Sequence, residues 1–210
     1  MATRSRRRLA PETRRQELLD ALAAELAETQ WHRISVPMVV RRAGASQGLF
    51  YRYFGDLDEA FIALVDDRIV PRLSDIGGGR LRLDVGSPEA VEAMLTGWFE
   101  GLAKLMVDEP HVIKATLLAA PAGAGAAADY CGGLLDELRQ WGQGLLEQVN
   151  GTGPYRQVDA ALVAHMVVGM TVQCVSTGIG ATDPARWASE MARFEAFGLL
   201  RRDELREENP

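Results

Sequence analysis

Cysteine is scarce in this 210-residue chain: Cys131 and Cys174 are the only two, and they form no CxxC pair. That excludes a disulfide framework and fits a reduced, cytoplasmic setting. Histidine is scarcer than a metal site needs. His32, His111 and His165 stand far apart, with no ligand spacing among themselves or with the cysteines, so no metal and no cofactor is assigned. The Gly77-Gly78-Gly79 run lacks the lysine and serine that follow in a phosphate-cradling loop, and no catalytic residue is nominated. Alternating β-branched runs are missing and proline is sparse, while alanine and leucine recur at helical spacing. The fold class is therefore all-α, with about nine helices.

Negative charge exceeds positive overall, with a net charge of −6, yet the first quarter of the chain has little of it. Residues 1–55 carry ten arginines against five acidic residues, giving +5; residues 56–210 carry thirteen basic and twenty-four acidic residues, giving −11. A basic head on an acidic body suits a protein whose head meets a polyanion. No apolar stretch follows the N-terminal arginines before the first amphipathic segment, so a signal peptide is not expected. Ala160 to Thr182 contains no formally charged residue, but His165, Thr171, Gln173, Ser176 and Thr177 interrupt it. The reading is a helix buried between two protein layers, with no membrane as partner.

Residues 1–10 read as a basic, disordered arm, 11–56 as a first domain and 57–210 as a second. A first helix spans about Pro11 to Thr29, with Leu18, Leu19, Leu22 and Leu26 on one face. A second starts after Ser35, with Pro37 in its first turn, and stops at Gly44. Ser46 caps a third, through about Tyr53, and Asp56 a fourth, to about Leu73. The glycines of 75–88 indicate a loop. Five more helices are expected near 88–107, 112–119, 129–149, 155–177 and 184–200, with a mobile loop over 120–128 and a frayed end after Arg201.

Two short helices meeting at a glycine turn, the second serine-capped, are the plan of a helix-turn-helix whose second helix enters the major groove. Val36, Val39, Val40 and Ala43 form the buried face of the first; Phe50 and Phe54, four apart, form that of the second. That arrangement turns Gln47, Gly48, Leu49, Arg52 and Tyr53 outward. Gln47 suits the major-groove edge of adenine and Leu49 a thymine methyl. Arg52 suits guanine or phosphate, Tyr51 and Tyr53 suit phosphates, and Gly48 suits close approach to the DNA backbone. The helix starts at Ser35 and Ser46 are phosphate candidates, as is Arg33.

The run resembles the DNA-binding head of the tetracycline-repressor family of bacterial regulators. The resemblance rests on Gly44-Ala45-Ser46, Tyr51, Phe54, Trp31 and Ser35-Val36, and covers about residues 14–64. Where that family often has a phosphate-gripping lysine, this chain has Leu57 between Asp56 and Asp58; Tyr53 stands for the usual histidine and Gln30 for the usual glycine. Arg33, Arg41, Arg42 or the N-terminal arm are candidates to compensate.

The resemblance implies a homodimer on double-stranded DNA with a palindromic operator, a seam made by the last two helices, and a small-molecule effector held in the body. For the seam, Gly169 and Gly178 allow close helix approach, and Trp187, Met191, Phe194 and Phe197 form an apolar stripe. For the effector, the candidates are Met94, Trp98, Leu102 and Met106, with Leu118, Tyr130, Leu134 and Trp141 facing them. His165, Met166, Met170 and Gln173 would close the space. Stripes of this spacing equally suit plain core, and His165 equally suits a dimer contact. The function this implies is a transcription regulator, a repressor released by its ligand. An architectural DNA-binding protein without sensing, or a small-molecule binder with a vestigial head, remains the alternative.

Overall fold

The computed structural model describes residues 11–76 and 87–200. The basic arm at 1–10, most of the expected loop at 75–88 and the end after Arg201 lie outside the described residues. Within them the chain is all-α: eleven helices and one 3-10 turn, with no strand.

The head comprises α1 (Pro11–Glu28), α2 (Val36–Arg42), α3 (Gln47–Phe50) and the start of α4 (Leu57–Arg68). Leu18, Leu19, Leu22 and Leu26 recur at three- and four-residue spacing along α1 and are buried, as that period requires of a helix with one inner face. They meet Val39 and Val40 of α2 and Phe50 and Phe54 at the end of α3 in one core. Phe50 and Phe54 lie 5.4 Å apart, and Trp31, on the turn after α1, packs 4.4 Å from Phe61 of α4. Gly44 has φ +60, the left-handed conformation that lets the chain reverse between α2 and α3.

The body comprises α5 (Val70–Ile76), α6 (Pro88–Asp108), α7 (Pro110–Ala122), α8 (Ala126–Val149), α9 (Ala160–Thr177), α10 (Ile179–Thr182) and α11 (Pro184–Gly198). Ala188, Ala192 and Ala196 form a stripe of small, fully buried side chains on α11, the helix that packs most extensively on α6. Gly180 lets α10 sit on the same surface: a Cβ there would lie 2.5 Å from Met106 Cε and 3.2 Å from Trp187 Cδ2.

Four details depart from the sequence reading. The expected helix over 56–73 is two, because Pro71 has no N–H for the α4 ladder and instead occupies the first turn of α5. The expected loop over 120–128 shrinks to Gly123–Gly125, since its alanines extend α7 and start α8. The helix expected from Tyr155 starts at Ala160, because the intervening residues are tied elsewhere. Tyr155 pairs with Leu200 as an isolated bridge, and Asn150 exchanges hydrogen bonds with the Val158 backbone at 2.7 and 2.9 Å. Finally, Gly178, at φ +72, closes α9 and is followed by α10, a turn the sequence did not announce.

Candidate DNA interface and effector cavity

Ser46 sits at the N-cap of α3 and accepts the Leu49 N–H at 3.2 Å, which fixes how α3 leaves the turn. Gln47, Gly48, Tyr51 and Arg52 are exposed along it, Leu49 and Tyr53 half-buried. Tyr51 is 55% exposed although its ring packs edge-on to Phe50, 5.5 Å away. Tyr53 instead packs against the core. Arg33 is exposed before α2, and Ser35, the α2 N-cap, makes no capping hydrogen bond with its side chain. All nine residues nominated for DNA lie on or beside α2 and α3. The run 44–48 also spells the G-x-S-x-G pattern of a nucleophile elbow, but that device needs a strand before the serine. Here helix α2 precedes it, and the Ser46 hydroxyl is engaged in capping.

The structure separates the candidate phosphate arginines. Arg33, Arg41 and Arg52 are exposed and make no ion pair among the described residues. Arg42 is committed inward: its Nε is 2.7 Å from the buried carboxylate of Glu25, and one Nη 2.7 Å from Glu28. Those hydrogen bonds hold the guanidinium more firmly protonated than usual and pull the Glu28 carboxyl below its ordinary range. Arg42 therefore braces α2 against α1 and is not a free phosphate anchor. Arg15 lies over the Phe54 ring, 5.5 Å from its centroid.

The missing lysine has a structural counterpart. Asp56 caps α4, accepting the Glu59 N–H at 2.8 Å. Asp58 reaches across to the body and accepts the Ala127 N–H at 3.2 Å, in the first turn of α8. A second tie joins the same helices, where the Tyr130 hydroxyl donates to Asp66. Burial, with that bond, pushes the Tyr130 hydroxyl well above its usual range. Arg68 completes the set, pairing with Asp20 of α1 at 2.6 Å and Glu109 between α6 and α7 at 3.3 Å. α4 is thus pinned to head and body together.

Inside the body, α5, α6, α7, α8, α9 and α11 enclose an apolar cavity of about 240 Å³. Of the residues nominated for an effector, Met94, Trp98, Leu102, Leu134, Trp141, Met166 and Met170 line it. Trp98 and Trp141 stack with centroids 5.7 Å apart. The other five lie elsewhere. Met106 is buried against α10, Tyr130 is engaged with Asp66, and Leu118, His165 and Gln173 are exposed. The His165 ring contacts the Ala161 carbonyl on its own helix, 3.0 Å away. Ile69, at the end of α4, and Leu73 of α5 also line the cavity, a contribution that periodicity alone does not reveal. Glu195 and Thr171 line it too, and each has a buried oxygen without a hydrogen-bond partner among the described residues.

α9 buries only Ala160, Ala164, Thr171 and Val175 of its 18 residues. It has the length and apolarity of a membrane span. Leu162 and Met166 are more than half exposed on it, as is Phe194 on α11. Met166 and Phe194 also line the cavity, so the cavity reaches the surface between these two helices. Of the residues nominated for a dimer seam, Gly169 and Phe194 are exposed on that face. Gly178 is the left-handed cap of α9, and Met191 is partly buried against the core. Trp187 is buried 5.4 Å from Phe99, and Phe197 lies beneath Arg193.

Residues 18–64 match the model of bacterial regulatory proteins of the tetR family. The chain is 24% identical over 191 residues to an uncharacterized HTH-type transcriptional regulator of Haemophilus influenzae, covering 90% of this chain and 88% of that protein. Among solved structures, its fold resembles the fatty acid degradation regulator FadR of Bacillus halodurans. The two share 19% identity at a TM-score of 0.67, over 88% of this chain and 98% of that one. The FadR of Bacillus subtilis in complex with stearoyl-CoA matches at 17% identity and a TM-score of 0.67, with the same coverage.

Proposed function

We propose that this chain is a DNA-binding transcription regulator of the tetR family, a cytoplasmic homodimeric repressor released from a palindromic operator by a small apolar effector. The observation that carries the DNA half is the α2–turn–α3 unit, with Gln47, Tyr51 and Arg52 exposed on a head whose own core is complete without them. Gln47 reads a base edge, Arg52 a base or phosphate, and Arg33, Ser35, Ser46 and Tyr51 hold the backbone. A dimer would carry two reading helices to successive major grooves, which makes the operator two-fold symmetric.

The sensing half is supported by the apolar cavity and by its physical connection to the head. Ile69, the C-cap of α4, and Leu73 form part of its wall, and α4 is tied to α8 through Asp58 and Asp66. An effector that fits the cavity better in one position of α4 than another shifts the heads by that difference in affinity alone. The apolar lining suits an apolar effector, in keeping with the stearoyl-CoA complex of the Bacillus subtilis FadR. The exposed α9 and α11 surfaces supply the seam, which would also roof the cavity where Met166 and Phe194 lie.

Selection of bound duplexes from a random pool tests the proposal. Enrichment of an inverted repeat with half-sites about one helical turn apart is expected. Enrichment of no sequence would overturn the repressor reading in favour of an architectural protein or a vestigial head.

A further inference from the structure

The cavity's few polar groups differ in their state. Thr116 donates its hydroxyl to the Val112 carbonyl at 2.9 Å, and Arg156 donates Nε to the Gly198 carbonyl at 2.8 Å. Thr171 Oγ1 and Glu195 Oε1 are buried and have no partner among the described residues. Glu195 is the more consequential, because a carboxyl withdrawn from water is costly unless a positive charge or a set of donors meets it. Among the described residues neither is supplied. Arg156 lies on the same cavity but forms no ion pair with it, and the nearby cation of α11, Arg193, leans on Glu92 of α6 at 3.9 Å. Burial pushes the Glu195 carboxyl up to about 8.

The remaining walls favour a cation. Trp98 and Trp141 stack on one another and line the cavity, as does Phe194, and aromatic faces attract positive charge. A glutamine would serve a neutral carbonyl or hydroxyl ligand without the burden of an ionisable group. A carboxyl is the side chain that can also match an ammonium with charge-assisted hydrogen bonds. We propose that the effector is an amphiphilic amine: its apolar body fills the cavity between α6, α8 and α9, and its ammonium pairs with Glu195, with Thr171 as a second acceptor. This rests on the reading of the cavity as the effector site, and it names the chemical class that site selects. An acyl anion, by contrast, brings no positive charge to offset the burial of Glu195.

The test is calorimetric titration of the full-length protein at neutral pH with decylamine, decanol and decanoate, paired with quenching of the Trp98 and Trp141 fluorescence. Decylamine is expected to bind about tenfold or more tighter than the other two. In Glu195→Gln that preference is expected to vanish, while decanol binds within about twofold of its wild-type affinity, showing that fold and cavity are intact. If Glu195→Gln leaves decylamine binding unchanged, or if decanoate or decanol binds best to the wild type, the amine assignment is wrong while the cavity remains an effector site. If none of the three binds or alters the fluorescence, the effector reading of the cavity fails and this inference with it.

Discussion

A Cβ built on Gly48 meets nothing within 4 Å, so the fold itself does not ask for glycine there, and α3 would gain about 1 kcal/mol from alanine. On the proposed function, the demand would come from the DNA backbone. Gly48→Ala is expected to unfold at the same temperature or higher while losing about tenfold or more in operator affinity. Unchanged affinity would remove the argument for close backbone approach. Tyr51→Phe is expected to weaken binding to every duplex and Gln47→Ala to relax preference at one base position, as competition between single-base variants of the operator would reveal. Glu195 makes a different prediction. The folded carboxyl keeps its proton up to about pH 8, whereas an unfolded one loses it near 4.5. Between those values the folded state binds more protons, so stability falls as pH rises and the loss is complete above about 8. Thermal unfolding from pH 5 to 9 is expected to show Glu195→Gln gaining on the wild type by a few kcal/mol across that window. A constant difference would mean that the carboxyl is hydrated or paired.

At the scale of elements, α4 is the link between the two functions. It shares the head's core through Phe61, closes the cavity through Ile69, and is fastened to α8 by Asp58 and Tyr130. Asp58→Ala removes the acceptor for the Ala127 N–H and is expected to cost about 0.5–2 kcal/mol, the usual effect of losing a helix cap. It should also reduce the effector's influence on operator affinity, measured by titrating DNA with and without ligand, because the head is then less firmly held to the body. Coupling unaltered by Asp58→Ala would point to a route that bypasses this tie. The elements also show what a sequence discloses. The helix-turn-helix was legible because its determinants are local: a left-handed Gly44, a Ser46 cap and the Phe50–Phe54 spacing. The start of α9 was misread because Tyr155 and Asn150 answer to partners distant in the chain or across a loop. On α9, apolar on nearly every side, periodicity could not tell the cavity face, with Met170, from the outer face, with His165 and Gln173. Glu195 and Asp58 resemble ordinary surface acids in sequence, and only tertiary packing gives them their roles.

For the whole molecule, the outer face of α9 and α11 joins Leu162, Met166 and Phe194, all more than half exposed, a concentration of large apolar groups that suits an interface. Sedimentation is expected to show a dimer, and Phe194→Asp with Met166→Glu a folded monomer with little operator binding; a monomeric wild type would contradict the seam. The separation of charge, with a basic head on an acidic body, would direct such a dimer head-first towards DNA. The most direct test of the central claim is fluorescence anisotropy of a labelled duplex from immediately upstream of the protein's own gene, with scrambled competitor, across a salt series. The account predicts tight, competitor-resistant binding of one or two dimers per duplex, with an affinity that falls as salt rises. Weak binding that salt abolishes equally on operator and scrambled DNA, on the selected inverted repeat as well, would contradict it.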